Sequence, residues 1–75
     1  HDSRIGDFTT ISPGSLVSGR VSIGEGCYIG AGSVIREECR IGDGAVVGAG
    51  AVVVKDVAER ETVVGVPAKP IKSAG

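Results

Sequence analysis

Tryptophan and methionine are absent from these 75 residues, and phenylalanine, tyrosine and histidine occur once each. Two aromatic rings cannot build a stacking platform for bases, and 8 Lys plus Arg against 9 Asp plus Glu leave no basic footprint, so nucleic acid is excluded as a partner. No apolar run is long enough to span a membrane and no signal peptide is visible, which excludes a membrane partner. Cysteine is scarce as well. Cys27 and Cys39 form no CxxC pair and no metal-ligand cluster, so they read as small buried thiols of a cytoplasmic protein, with no bound metal. Lacking an initiator Met, the chain reads as an excised domain whose N-terminal partner is absent. A chain this short buries only about 60% of the surface that its unfolded form exposes, which favours oligomerisation.

What is plentiful is glycine, with 13 residues, beside an apolar content of 41%. The order of residues reconciles the two. Ile5, Ile11, Val17, Ile23, Ile29, Ile35, Ile41, Val47 and Val53 recur every six residues without a miss. Small or β-branched residues occupy the fourth position after each: Thr9, Ser15, Val21, Cys27, Ser33, Cys39, Ala45, Ala51 and Val57. A helix needs a spacing near 3.6 and an amphipathic strand needs strict alternation. A period of six suits a short strand and a two-residue corner, repeated as a solenoid with the aliphatic residue inward. A β-sandwich would need longer strands and turns about every 8–12 residues.

The pattern resembles the hexapeptide-repeat acyltransferases. That resemblance implies an all-β fold, a left-handed parallel β-helix of about three to four triangular coils, in which three hexads close one coil and residues eighteen apart stack. It predicts a single domain: coils over 1–54, an exit loop over 55–61 where Glu59 breaks the phase, a final strand and closing motif over 62–68, and a tail over 69–75. With that stacking, Pro13, Ala31 and Ala49 share one corner column beside Gly14, Gly32 and Gly50. Three coils thus present almost no side chain along one edge. Tight corners favour glycine anyway, yet a bare edge also suits an extended ligand lying against backbone.

His1 falls on another corner, in a column with Gly19 and Glu37. A neutral imidazole is a suitable general base near pH 7, and Asp2 beside it raises its basicity. The stretch from His1 through Ile11-Ser12-Pro13-Gly14 is similar to the HDCxIGDFxHISPGA segment of bacterial nucleotide-sugar N-acetyltransferases and sialic-acid O-acetyltransferases. Ile23-Gly24-Glu25-Gly26, Ile29-Gly30-Ala31-Gly32, Val47-Gly48-Ala49-Gly50, Val54-Lys55-Asp56-Val57 and Val64-Gly65-Val66-Pro67-Ala68-Lys69 match as well. The resemblance implies His1 as general base, Asp2 as its tuning acid, and Thr10, Gly19, Ala31, Ala49 and Lys69 around acetyl-CoA. Thr10 stands where the family has a second histidine. The implied reaction is transfer of acetyl to an amino group of a sugar or nucleotide sugar, whose own binding domain is expected to precede this chain. Because His1 and the bare edge lie on different corners, a homotrimer with sites between subunits is implied. O-acetylation of a sialic acid and a non-catalytic trimerisation or scaffold module are the competing readings. A γ-class carbonic anhydrase shares the fold, but one histidine per chain cannot supply the three that its zinc needs at each site.

Overall fold

A computed structural model describes residues 3–71 of the chain. Eleven short strands follow one another: β1 (Arg4–Ile5), β2 (Thr10–Ile11), β3 (Leu16–Val17), β4 (Ser22–Ile23), β5 (Tyr28–Ile29), β6 (Val34–Ile35), β7 (Arg40–Ile41), β8 (Val46–Val47), β9 (Val52–Val53), β10 (Thr62–Val64) and β11 (Lys69–Pro70). They form three sheets of order β1-β4-β7, β2-β5-β8-β10-β11 and β3-β6-β9. Pairing from β1 to β9 is parallel and joins residues eighteen apart, as in Ile5↔Ile23↔Ile41 and Ile11↔Ile29↔Val47. This is a parallel β-solenoid of about three turns, the architecture of the left-handed hexapeptide β-helix. No helix long and apolar enough to cross a membrane occurs among the described residues.

Each hexad is an extended segment with alternating side chains, followed by a turn. Val21 and Ile23 point inward while Ser22 points out, and Cys27 and Ile29 point inward while Tyr28 points out. Alternation of period two thus operates inside a repeat of period six. Ile29, Ile35 and Val47 are wholly buried, and Ser33 is buried with its hydroxyl donating to the Gly30 carbonyl at 2.8 Å. At Gly30 the coils stack closely enough to require glycine. A Cβ on Gly30 would lie 2.6 Å from the Ala49 nitrogen. Among the described residues no coil lies beneath the first one, so Ile5 and Ile11 remain exposed although they point along the core axis.

Two expectations need correction. The stretch 55–61 is not wholly an exit loop, because the coil continues through it with a two-residue deletion. Val57 pairs with Ile41 and Val63 with Val47, each sixteen residues on instead of eighteen. The shortened connection puts Val57 inward, only 5% exposed, and leaves Glu59 on an outer turn, which spares the core a buried carboxylate. Nor does a tail begin at Lys69. After a turn over 65–68, Lys69 and Pro70 pair antiparallel with Val64 and Val63. The Ile71 amide donates to the Thr62 carbonyl at 2.9 Å, and Ala68 packs on the core.

Candidate functional site

Three corners run along the prism, and their chemistry differs although their backbones match. The first turn column carries Asp7, Glu25, Asp43 and Glu59; the second carries Pro13, Ala31 and Ala49; the third carries Gly19 and Glu37. The residue after each of these has positive φ at every corner: Phe8, Gly26, Gly44 and Arg60 on the first, Gly14, Gly32 and Gly50 on the second, Arg20 and Glu38 on the third. A non-glycine residue pays roughly 1–2 kcal/mol for that conformation, and this fold tolerates it at Phe8, Arg20, Glu38 and Arg60. Glycine is therefore not obligatory at a corner. Its use at all three turns of the second column leaves that edge bare beyond what the backbone demands. A Cβ on Gly32 or Gly50 would meet nothing within 4 Å, so the space above this edge is open.

The edge also offers hydrogen-bond donors. On the first corner the Glu25 amide donates to the Asp43 carboxylate from the coil above, at 2.9 Å. The equivalent pair on the second corner is Ala31 and Ala49, and a methyl group cannot accept. Among the described residues the amide nitrogens of Ala31 and Ala49 donate to nothing. Successive turns of the corner are tied together: Gly50 donates to the Ala31 carbonyl at 2.9 Å and Gly32 to the Pro13 carbonyl at 3.3 Å. The Ser15 hydroxyl sits beneath, within 2.8 Å of the Ser12 carbonyl and 2.9 Å of the Gly30 carbonyl. A rigid edge with two unpaired N–H groups is suited to an extended ligand that carries amide carbonyls.

The other sequence-derived residues are dispersed. Thr10 lies exposed on the outer face of β2, on the flat side leading to the Pro13 turn and in register with Tyr28. Gly19 occupies the third corner, where its carbonyl accepts from the Glu38 amide at 3.1 Å, so it does not adjoin Ala31 or Ala49. Lys69 is exposed on β11, at the far end of the sheet that begins with Thr10. The structure thus joins Ala31 with Ala49, sets Thr10 on the adjoining face, and places Gly19 and Lys69 elsewhere. His1 and Asp2 lie outside the described residues. Beside Gly19, the Glu37 carboxyl is held below its ordinary range by a hydrogen bond from its own backbone amide and by the Arg36 guanidinium at 3.4 Å. No group of three or more His, Cys, Asp or Glu side chains suited to a metal occurs among the described residues. Sequence reasoning found the bare column but missed its two free amides. The signal lay in comparing residues 31 and 49 with 25 and 43, the same pair one corner earlier.

Known proteins agree with this architecture. The acetyltransferase domain of PglB from Neisseria gonorrhoeae is 45% identical over 95% of this chain with a TM-score of 0.93, and it has also been solved in complex with acetyl coenzyme A. PerB from Caulobacter crescentus, solved with CoA and GDP-perosamine, is 39% identical over 96% of the chain with a TM-score of 0.95. WeeI from Acinetobacter baumannii is 45% identical over 95%, with a TM-score of 0.91. The chain spans only 35%, 35% and 36% of these three proteins, respectively. No curated protein sequence matches it. The bacterial transferase hexapeptide family, defined by six repeats, matches residues 2–37 and 20–55, and the chain belongs to that family.

Proposed function

We propose that this chain is the acetyl-CoA-binding and acetyl-transferring part of an enzyme that acetylates an amino group of a nucleotide sugar. The observation that carries this reading is the bare second corner, where Ala31 and Ala49 present free amides above open space. The amide-bearing arm of acetyl-CoA lies along that edge, its carbonyls accepting from those two N–H groups, with Thr10 on the adjoining face. PglB's domain and PerB bind acetyl-CoA or CoA on the same fold, and PerB also binds a nucleotide sugar.

His1 serves as general base and Asp2 favours its protonation. As the sugar nitrogen attacks the thioester carbonyl, the imidazole takes its proton. The C–S bond then breaks, acetyl remains on nitrogen, and the imidazolium returns the proton to the departing thiolate of CoA. Such a positioned base contributes typically 10²–10⁴-fold. Gly19 adds no side-chain bulk to the third corner, and Lys69 meets the CoA phosphates at the far end of the sheet.

Assembly is part of the proposal. The second and third corners are separated by the face of β3, β6 and β9, whose outward column is Leu16, Val34 and Val52. Leu16 is 61% exposed, and an apolar column between two functional corners calls for a partner. Three copies packed around a threefold axis would cover it and bring the third corner of one subunit against the bare edge of the next. The test joins the chain to a nucleotide-sugar-binding N-terminal domain and measures acetyl transfer to GDP-perosamine and CoA affinity for the parent and for His1→Ala. Turnover is expected to fall by about 10²–10⁴-fold with CoA affinity unchanged. Full activity of His1→Ala would refute the base assignment, and a parent that binds no CoA would refute the whole reading. A stable folded monomer at micromolar concentration in sedimentation would refute the trimer.

A further inference from the structure

We propose that the outer face of the β1–β4–β7 sheet holds a phosphoryl-binding site built by Arg4, Arg20 and Arg40 around Ser22. Parallel pairing puts Arg4, Ser22 and Arg40 in one outward column. Rungs are about 4.8 Å apart, so the two arginines leave the backbone roughly 9.6 Å from each other, with the small serine between them. A hollow of about 420 Å³ opens there, floored by Val21 and bordered by Arg20 and Glu38.

Its charge is unbalanced. Glu38 meets Arg20 at 3.4 Å, and both side chains are about two-thirds or more exposed, so that ion pair is weak. Arg4 and Arg40 form no ion pair among the described residues. The Asp56 carboxylate accepts from the Arg40 backbone amide at 2.9 Å and borders the neighbouring hollow on Arg40, so within the hollow itself three arginines face one carboxylate. Stacking cations on one face of a sheet is unfavourable without an anion between them. Guanidinium forks match the oxygens of phosphate in pairs. A carboxylate has two oxygens in one plane and satisfies a single fork. A phosphoryl group has three to share between two forks and the Ser22 hydroxyl. The partner is a soluble phosphate or diphosphate compound, since the chain as a whole carries a net charge of -1 and has no aromatic platform for nucleic acid. The site is on a flat face of the prism and not on the bare corner, so it does not depend on the reading of that corner.

Isothermal titration with inorganic pyrophosphate tests the proposal, using the parent, Arg4→Gln, Arg40→Gln and, as a control on a different corner, Arg60→Gln. Saturable binding is expected in the parent, weakened about tenfold or more in Arg4→Gln and Arg40→Gln and unchanged in Arg60→Gln. All are exposed positions, and circular dichroism will confirm that each variant folds. Saturating pyrophosphate is expected to leave CoA affinity unaltered. Absence of saturation, an equal loss in Arg60→Gln, or competition with CoA would each overturn a separate site.

Discussion

The free amides of Ala31 and Ala49 make a prediction in which stability and binding move in opposite directions. Asp43 stands eighteen residues above Glu25 and accepts its N–H at 2.9 Å. Ala49 stands eighteen residues above Ala31 in the same position of its own turn, so Ala49→Asp transplants the cap from one corner to the next. One added hydrogen bond contributes about 0.5–1.5 kcal/mol net, and the low end applies at an exposed turn. In a domain of this size about 1 kcal/mol moves Tm by about 4–8 °C, so a rise of a few degrees is expected. CoA binding moves the other way. The Ala31 donor is now occupied, and a carboxylate faces a polyanionic ligand, so affinity should fall by about tenfold or more, equivalent to about 1.4 kcal/mol. Ala49→Asn separates the two causes, since its side-chain oxygen can cap the amide without adding charge. Thermal unfolding and isothermal titration on the three proteins give the answer. CoA affinity equal to the parent's in both variants would refute the role of the Ala31 amide. A Tm drop in both would refute the equivalence of the corners.

Ala31→Phe or Ala49→Phe should weaken CoA binding in titration while leaving Tm nearly unchanged, because both side chains point out of the solenoid. Gly30→Ala should cost about 1–3 kcal/mol in chemical denaturation, since its Cβ would stand 2.6 Å from backbone of the next coil; Gly32→Ala, which meets nothing but has φ +68, should lose only the roughly 1–2 kcal/mol of its backbone conformation and leave the coil spacing intact. Burial, reinforced by the Asp56 charge, raises the Cys39 thiol pKa, so the folded state favours the protonated thiol. The stability this contributes is complete below the ordinary thiol range and is lost as pH climbs through the raised value. Cys39→Ala should therefore flatten the alkaline fall of Tm, and the native thiol should resist alkylation at pH 8.

The period of six made the coils legible because each inward aliphatic has no alternative place. Moving Ile29 or Ile35 by one position would turn a wholly buried side chain into water. The break at Glu59 was equally legible, since a carboxylate cannot take an inward place unpaired. What replaces it was not. A connection shortened by two residues and a loop that leaves the solenoid both remove Glu59 from the core, and only the backbone pairing of Val57 with Ile41 distinguishes them. β11 was hidden for a different reason: Lys69 and Pro70 carry no hydrophobic pattern and are held by main-chain bonds to β10. The column of Arg4, Ser22 and Arg40 follows from the eighteen-residue stacking, but its meaning depends on which carboxylates fail to reach it.

The three corners explain how so regular a molecule can hold a site. Above the first coil, the positive-φ residue of each turn bonds to the turn below, as in Gly26 to Asp7, Gly32 to Pro13 and Glu38 to Gly19, so these bonds do not depend on which side chains decorate a corner. Burial within the coils supplies the stability, and it is complete before any corner residue is chosen. Each column is then free to vary as a unit. The acidic column caps its own amide at Glu25 and offers no bare backbone there. The third column keeps side chains at its positive-φ positions, where Arg20 and Glu38 pair with each other. Only the second has glycine at each of its positive-φ positions, so that the Ala31 and Ala49 amides lie on an edge with almost no side chain around them. A solenoid corner becomes a binding edge by what is removed from it, which is why its chemistry lies in the column and not in any single residue.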